Sequence, residues 1–260
     1  MKDKDRIRHR FDLTGKVALL TGASKGIGEA MARGMAEFGA TVIISSREQE
    51  PPDEIAESFR QDGLDAVAIT ANVGKTEDIE ALVDQAIDQC GGIDILVNNA
   101  AANPVFGPIQ NTDERAFDKI IDVNLRGPFD LCKRVHPIMQ ARGGGSIINI
   151  SSIGGVTPEA GIGIYSVSKA ALQSMTQAMA QDWGRDNIRV NAICPGLIRT
   201  RFSEALWSNE KILDRFLSHT PLGRMAEPDD VAGLAVFLAS DAASFCSGGI
   251  YSVDGGYLAN

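Results

Sequence analysis

Tyr165 and Lys169 stand four residues apart, at the head of a run whose apolar-rich positions (Ala170, Ala171, Leu172, Met175, Thr176, Ala178, Met179) have helical spacing. Positions i and i+4 share one face of a helix, so the phenol and the ammonium are expected side by side. A neighbouring cation favours phenolate, pulling a tyrosine below its ordinary value of about 10 and toward acid–base work. Ser152 follows an apolar strand-like run, Ser146 to Ser151, and its hydroxyl can point into the same crevice. A tyrosine acid–base, a tuning lysine and a serine donor suit proton transfer at a carbonyl or an alcohol. The pair alone is weak evidence, since Tyr-x-x-x-Lys also occurs on solvated helix faces. The surrounding elements must decide.

Those elements alternate. Val17 to Thr21 is a short apolar run that reads as a buried strand, followed by Thr21-Gly22-Ala23-Ser24-Lys25-Gly26-Ile27-Gly28. Ile27, Ala30, Met31, Gly34, Met35 and Phe38 then form a helical stripe. A glycine-rich turn between strand and helix lets backbone approach a pyrophosphate held at the helix N-terminus. The spacing is not the literal G-x-G-x-x-G, and a tight turn with no ligand is the competing reading. Further strands are expected at Thr41–Ser45, Ala66–Thr70, Ile93–Val97, Ile147–Ile150, Val190–Cys194 and Ile250–Val253. Helices are expected at about Pro52–Gln61 and Thr76–Cys90, and over a long stretch from Asp113 to Arg142, interrupted near Asn124 and bent by Pro128 or Pro137. Strands alternating with helices mean parallel crossover units, hence a doubly wound α/β sheet with helices on both faces. No repeat or linker divides residues 12–260, which read as one domain.

Composition narrows the function class. The chain has 260 residues, 44% hydrophobic and 23% charged, as in a globular protein with ample core. Its formal net charge of −9 argues against a general nucleic-acid binder. Four scattered cysteines (Cys90, Cys132, Cys194, Cys246) speak against a disulfide framework or a zinc site and fit a reducing compartment. No apolar run approaches the roughly 20 residues of a membrane span. Residues 1–11 alternate charge without an apolar stretch, so a frayed tail rather than a signal peptide is expected. Leu258-Ala259-Asn260 is no peroxisomal address, and the cytoplasm is the expected location. His9, His136 and His219 are scattered, and none is placed as a base or ligand.

Taken together the pieces resemble the short-chain dehydrogenase/reductase family over about Asp12 to Tyr257. The family's Thr-Gly-x-x-x-Gly-x-Gly turn matches Thr21, Gly22, Gly26 and Gly28; its Asn-Asn-Ala-Gly element matches Asn98, Asn99 and Ala100, with Ala101 in the glycine's place. Its catalytic asparagine falls on Asn124, its serine (thirteen residues before the tyrosine) on Ser152 rather than Ser151, and its Tyr-x-x-x-Lys on Tyr165 and Lys169. Pro195-Gly196 follows the sixth strand, with Thr200 at the position that binds the nicotinamide carboxamide. The family's adenine-binding aspartate is replaced within Ala71-Asn72-Val73, where Asn72 can still accept from the adenine amine. The resemblance implies a nicotinamide cofactor lined by Gly22, Ser24, Lys25, Gly26, Ile27, Gly28, Ser46, Arg47, Asn72, Val73, Asn99, Ala100, Tyr165, Lys169, Pro195, Gly196, Ile198 and Thr200, with Asn124 holding a water that links Lys169 to solvent. It also implies a homotetramer, for which Phe237, Phe245, Ile250 and Tyr251 are candidate contacts.

The cofactor is expected to be NADP(H) rather than NAD(H). An NAD-preferring fold places a carboxylate roughly 20 residues past the glycine turn to hold the ribose 2′-hydroxyl. Eighteen past Gly28 stands Ser46, followed by Arg47, and Lys25 can reach from the turn. Arginine offers phosphate a planar fork. The run Asn98 to Pro108 resembles carbonyl reductases that take retinal and aromatic ketones. Pro104, Val105, Ile153, Ile162 and Trp207 suggest a mostly apolar pocket, under an amphipathic lid at 197–221. Two other readings stay open. One is a 3-oxoacyl thioester reductase docking an acidic carrier protein on Arg126, Lys133 and Arg134; the other is a nucleotide-binding scaffold without turnover. No metal site is expected.

Overall fold

The computed structural model describes residues 6–48 and 50–259. Seven strands among them, β1 (Val17–Thr21), β2 (Thr41–Ser46), β3 (Ala66–Thr70), β4 (Ile95–Asn98), β5 (Gly145–Ile150), β6 (Ile188–Pro195) and β7 (Ile250–Val253), form one parallel sheet in the order β3-β2-β1-β4-β5-β6-β7. The chain steps outward from β1 to β2 and β3, then returns to the other side of β1 with β4. That reversal opens a crevice at the carboxyl ends of β1 and β4, where open α/β sheets bind their ligands.

Strands β1, β4 and most of β5 are buried along their length, as a sheet covered on both faces demands. One face packs α1 (Gly26–Glu37), α2 (Glu50–Gln61) and α9 (Asp229–Ala239) through Met31, Met35, Phe59, Val231 and Val236. The other packs α3 (Thr76–Cys90), α5 (Gly127–Ala141) and α6 (Gly163–Trp183) through Leu82, Leu131, Val135 and Met179. Each helix presents one apolar stripe inward, so the crossover pattern closes both cores.

Three expectations are corrected. The fourth strand begins at Ile95 rather than Ile93, and Asp94 just before it ties strand starts together through its side chain. The long helix breaks near Asn124 as expected, into α4 (Glu114–Ile121), a π-helical turn at Asp122–Arg126 and α5, but neither proline makes a break. Pro128 sits in the first turn of α5, where its missing N–H matters little, and Pro137 lies inside that helix without ending it. Tightly packed backbone marks the break: a Cβ on Gly127 would lie 2.2 Å from the Val73 carbonyl oxygen. The N-terminal tail does not stay frayed through residue 11. Arg8–Phe11 form a 3₁₀ turn; Arg10 donates to the Asp241 carbonyl (Nε, 3.2 Å) and to Ser244 Oγ (2.6 Å), and Phe11 packs between Phe38 and Phe237. Residues 1–5 lie outside the described residues.

Asp94 is only 7% exposed and joins three elements at the sheet's amino edge. It accepts from Val17 N–H at 2.9 Å and from Arg142 Nε and Nη2, each at 2.9 Å. Asp94→Ala should therefore lower unfolding free energy by about 2–4 kcal/mol, since it orphans both a buried N–H and a guanidinium. Urea unfolding with an unchanged m-value checks this, and Asp94→Ala/Arg142→Ala should lose less than the sum of the single variants.

Candidate active site

The glycine turn is held by contacts too short for any side chain. Asn99, just past β4, donates its amide to the Thr21 and Gly22 carbonyls at 3.1 and 2.8 Å. Thr21 Oγ accepts from the N–H groups of Asn99 and Ala100 at 3.1 and 3.2 Å. Gly22 has φ +61°, and a Cβ there would lie 2.8 Å from Ala100 Cα; one on Gly28 would lie 2.4 Å from the Gly22 oxygen. Asn99 and Ala100 thus shape the turn from β4.

This cradle fits a dinucleotide. No side chain caps α1, so its first-turn N–H groups are left for an anion such as a pyrophosphate. Ser45 Oγ, beside the turn on β2, is buried without a hydrogen-bond partner. Thr200 leans over Gly26, where a Cβ would stand 3.2 Å from its Cγ2. Ser24 is half-buried and Lys25 exposed at the mouth of the turn, and Ile27 packs against the core.

Other sequence-predicted cofactor residues are placed less simply. Ser46 Oγ donates to the Glu48 carbonyl at 2.8 Å, and Arg47 Nε pairs with Glu48 at 3.5 Å with both side chains about two-thirds exposed (69% and 68%). Asn72 Oδ1 already accepts from Gly74 N–H at 3.1 Å, leaving one lone pair for an adenine amine. Val73 and Ile198 direct their side chains into the core, so only their backbone is available to a ligand. Pro195 ends β6, and Gly196 N–H donates to the Val253 carbonyl at 2.9 Å.

The catalytic candidates converge at the carboxyl edge of β5. Ser152 stands beside the Tyr165 phenol, and its Oγ accepts from Gly154 N–H at 3.0 Å. Lys169, one turn along α6, is 2% exposed; its Nζ donates to the Ile150 carbonyl at 2.7 Å and lies 5.6 Å from the Tyr165 ring centre. Asn124 is fully buried in the π-helical turn. Its Nδ2 donates to Ala102 O and Ser168 Oγ, each at 3.0 Å, and its Oδ1 accepts from Ala102 N–H at 2.7 Å. Both amide protons are thus committed to protein, so the side chain has no donor left for the water the sequence reading assigned to it. Ser168 Oγ in turn donates to the Tyr165 carbonyl at 2.7 Å, linking Asn124 to the tyrosine's backbone.

Electrostatics depart from the sequence expectation. Burial pushes the Tyr165 phenol up to about 12; the adjacent Ser152 hydroxyl opposes this, while Cys194 and Glu159 add to it. Burial pulls the Lys169 ammonium down to about 8, against the opposing pull of Cys194. In the chain alone, desolvation of the phenolate outweighs any help from the lysine.

Sequence reasoning missed three neighbours. Gln173 lies one turn beyond Lys169 and donates to Ser151 Oγ and Cys194 Sγ; its i+4 spacing was the available signal. Phe202 sets its ring 6.2 Å from that of Tyr165, and no spacing announced it. Glu159 is half-buried with its carboxyl raised by burial, hydrogen-bonded to Tyr257 and near Arg215. Of the expected pocket residues, Ile162 bridges Gly107, Pro104 is exposed, Val105 is half-buried, Ile153 is buried, and Trp207 donates its Nε1–H to the Thr200 carbonyl at 3.0 Å.

A family model described as "Enoyl-(Acyl carrier protein) reductase" matches residues 22–258. Dehydrogenase/reductase SDR family member 4 of Oryctolagus cuniculus is 41% identical over 250 residues, covering 96% of both chains. The human protein of that name is 42% identical, covering 95% of this chain and 89% of its own. The chain belongs to the short-chain dehydrogenase/reductase family. Solved structures agree with this. A gluconate 5-dehydrogenase from Burkholderia cenocepacia, in complex with NADP and tartrate, is 36% identical with a TM-score of 0.93, covering 96% of this chain and 98% of its own. A 7α-hydroxysteroid dehydrogenase complexed with NADH and 7-oxo glycochenodeoxycholic acid is 35% identical with a TM-score of 0.92, covering 96% of each chain. This short-chain dehydrogenase/reductase is therefore an oxidoreductase that interconverts a carbonyl and an alcohol. Among the described residues no helix is long and apolar enough to cross a membrane.

The two titrating groups set the pH dependence. If Tyr165 is the proton donor, carbonyl reduction needs its phenol protonated, so with Tyr165 near 12 the reductive kcat/KM should be level below pH 8 and fall as Lys169 loses its charge above about 8. Alcohol oxidation needs phenolate and should rise with pH over the same range. Rate profiles in both directions check this; a reductive kcat/KM that stays level well past Lys169's titration would exclude that charge from the rate.

Proposed function

We propose that this enzyme is an NADP(H)-dependent reductase of ketones or aldehydes, acting on medium-sized, mostly apolar substrates. The observation that carries it is the convergence of Ser152 and Tyr165 above a buried Lys169, at the switch-point crevice beside the glycine turn. When bound, the nicotinamide supplies or accepts the hydride. Tyr165 gives its proton to the substrate oxygen as that oxygen gains charge. Ser152 donates a hydrogen bond to the same oxygen, an interaction strongest when the charge is greatest. Lys169 holds the ribose hydroxyls and carries positive charge beneath the phenol. Thr200, fixed by hydroxyl contact with Ser203 at 3.1 Å, stands at the carboxamide position. Asn124 acts chiefly as a clamp between Ala102 and α6, and a proton-relay water is left to backbone groups.

The rim supports an apolar substrate. Phe202 faces Tyr165, Phe106 lies across Gly161, and Ile162 closes the wall by pairing with Gly107. Glu159 adds one carboxyl to this wall, so the pocket is not wholly apolar. Segment 197–221 carries α7 (Glu204–Trp207) and α8 (Glu210–Ser218), and we read it as the cover of the cleft; Phe216 of α8 stacks on Tyr257 at 4.3 Å and 11°. A carrier-protein substrate has less support. Of its three candidate docking cations, Arg126 pairs with Asp122 at 3.4 Å and Arg134 with Glu80, which cancels most of the basic patch. Subunit assembly finds support in Phe245, fully exposed beside the edge strand β7, whereas Phe237 packs inward against Phe11 and the core. Four free thiols support residence in a reducing compartment such as the cytoplasm.

Tyr165→Phe should fold and bind cofactor but lose turnover by roughly 10²–10⁴-fold, because only the proton donor is removed. Steady-state assay on a panel of ketones, aldehydes, diketones and acyl thioesters checks this; retention of a tenth of the wild-type kcat at every pH would exclude Tyr165 as the acid.

The 2′-phosphate reading rests on Ser46, Arg47 and Lys25: Ser46 ends β2 in the place of the NAD carboxylate, while Glu48 lies two residues beyond and pairs with Arg47. Arg47 must turn from Glu48 to reach the phosphate. Arg47→Ala should raise the KM for NADPH and spare NADH, and Ser46→Asp/Arg47→Ala should reverse the preference. A wild-type kcat/KM higher with NADH than with NADPH overturns the assignment.

A further inference from the structure

Gln173 lies on the face of α6 that carries Tyr165 and Lys169, one turn past the lysine. Its Nε2 donates to three acceptors, two just past β5 and one on β6: Ser151 Oγ at 3.0 Å, the Ser152 carbonyl at 3.2 Å and Cys194 Sγ at 3.3 Å. Two protons serve three acceptors, so one is shared. Ser151 Oγ passes its own proton to the Lys169 carbonyl at 3.0 Å, and Ser151 N–H reaches the Ile193 carbonyl at 2.7 Å. A single amide therefore connects the end of β5, the end of β6 and the catalytic helix.

We propose that Gln173 is a positioning residue of the reaction, acting through Ser152. Ser152 is extended (φ −165°, ψ 154°), and ψ is the torsion that aims its carbonyl. With that carbonyl on Nε2 and Gly154 N–H on Oγ, both ends of the residue are fixed while the hydroxyl points at the phenol. Beyond Gln173 the backbone is close enough to resist rearrangement: a Cβ on Gly155 would lie 2.7 Å from Nε2. Losing the amide donors leaves the Ser152 carbonyl held by Gly155 N–H at 3.0 Å alone, which loosens the aim of the peptide, and leaves Cys194 Sγ without this contact. Tyr165 and Lys169 stay in place on their helix. The inference rests on the proposed roles of Ser152 and Tyr165.

The test is a double-mutant cycle on the intact enzyme, with NADPH and benzil, an aromatic diketone, as probes. Gln173→Met keeps length and removes both donors; Gln173→Glu keeps shape and replaces the donors with acceptors, so the cycle can be read even if one variant misfolds. Each should lower kcat about tenfold while leaving the cofactor KM within about twofold and the melting temperature nearly unchanged. In a Ser152→Ala background the same changes should lower kcat by less than twofold, because the residue they act through is already disabled. A full tenfold loss in that background, or no loss in the wild type, overturns the proposal. Tyr165→Phe runs alongside: if it abolishes turnover while Gln173→Met does not lower it, only the positioning role fails; if it retains turnover, the underlying reading fails.

Discussion

A buried ammonium is the interaction on which this site depends. Lys169 is 2% exposed and reaches one backbone carbonyl, Ile150 O at 2.7 Å. Burying an unpaired cation costs several kcal/mol, and the fall of its pKa to about 8 expresses that cost. A fold selected for stability alone would place leucine there. The proposed role of Lys169 beneath the phenol would account for the charge, and the rest of the sheet must absorb the penalty.

Absorbing it requires a rigid surround, and the rigidity comes from buried amides bridging neighbouring elements. Asn98 on β4 donates to Asn149 on β5 at 2.8 Å, directly across the register, and Asn149 donates to Thr176 on α6 at 2.8 Å. Asn124 performs the same service between Ala102 and Ser168. Each amide offers donors and an acceptor at fixed angles, so together they set the height of α6 over the strand ends within hydrogen-bond tolerance. Tyr165 inherits its position from that height.

The cofactor side works by the opposite device, the absence of side chains. Gly22 and Gly28 bring the turn so close to β4 that Asn99 and Ala100 form its outer wall. Cradle and the helix of Tyr165 and Lys169 thus meet at the same pair of strand ends, β4 and β5, and the proposed proton-transfer and dinucleotide sites share one crevice.

The sequence by itself determined the elements, their order and the pairing of the candidate acid–base residues. Apolar runs of strand length separated by helical stripes specify parallel crossovers, and Tyr165 and Lys169 are neighbours by helix geometry alone. Both facts are local in the chain, which is why they are legible there. Contacts between residues distant in sequence were not. That Asn124's amide is saturated by Ala102 and Ser168, that Arg10 anchors the amino end to Asp241, and that Phe202 faces Tyr165 depend on how separate segments pack. The direction of the tyrosine's shift was hidden for the same reason. Spacing reveals which charge is near, but only the tertiary structure decides how much water is excluded, and here exclusion outweighs proximity.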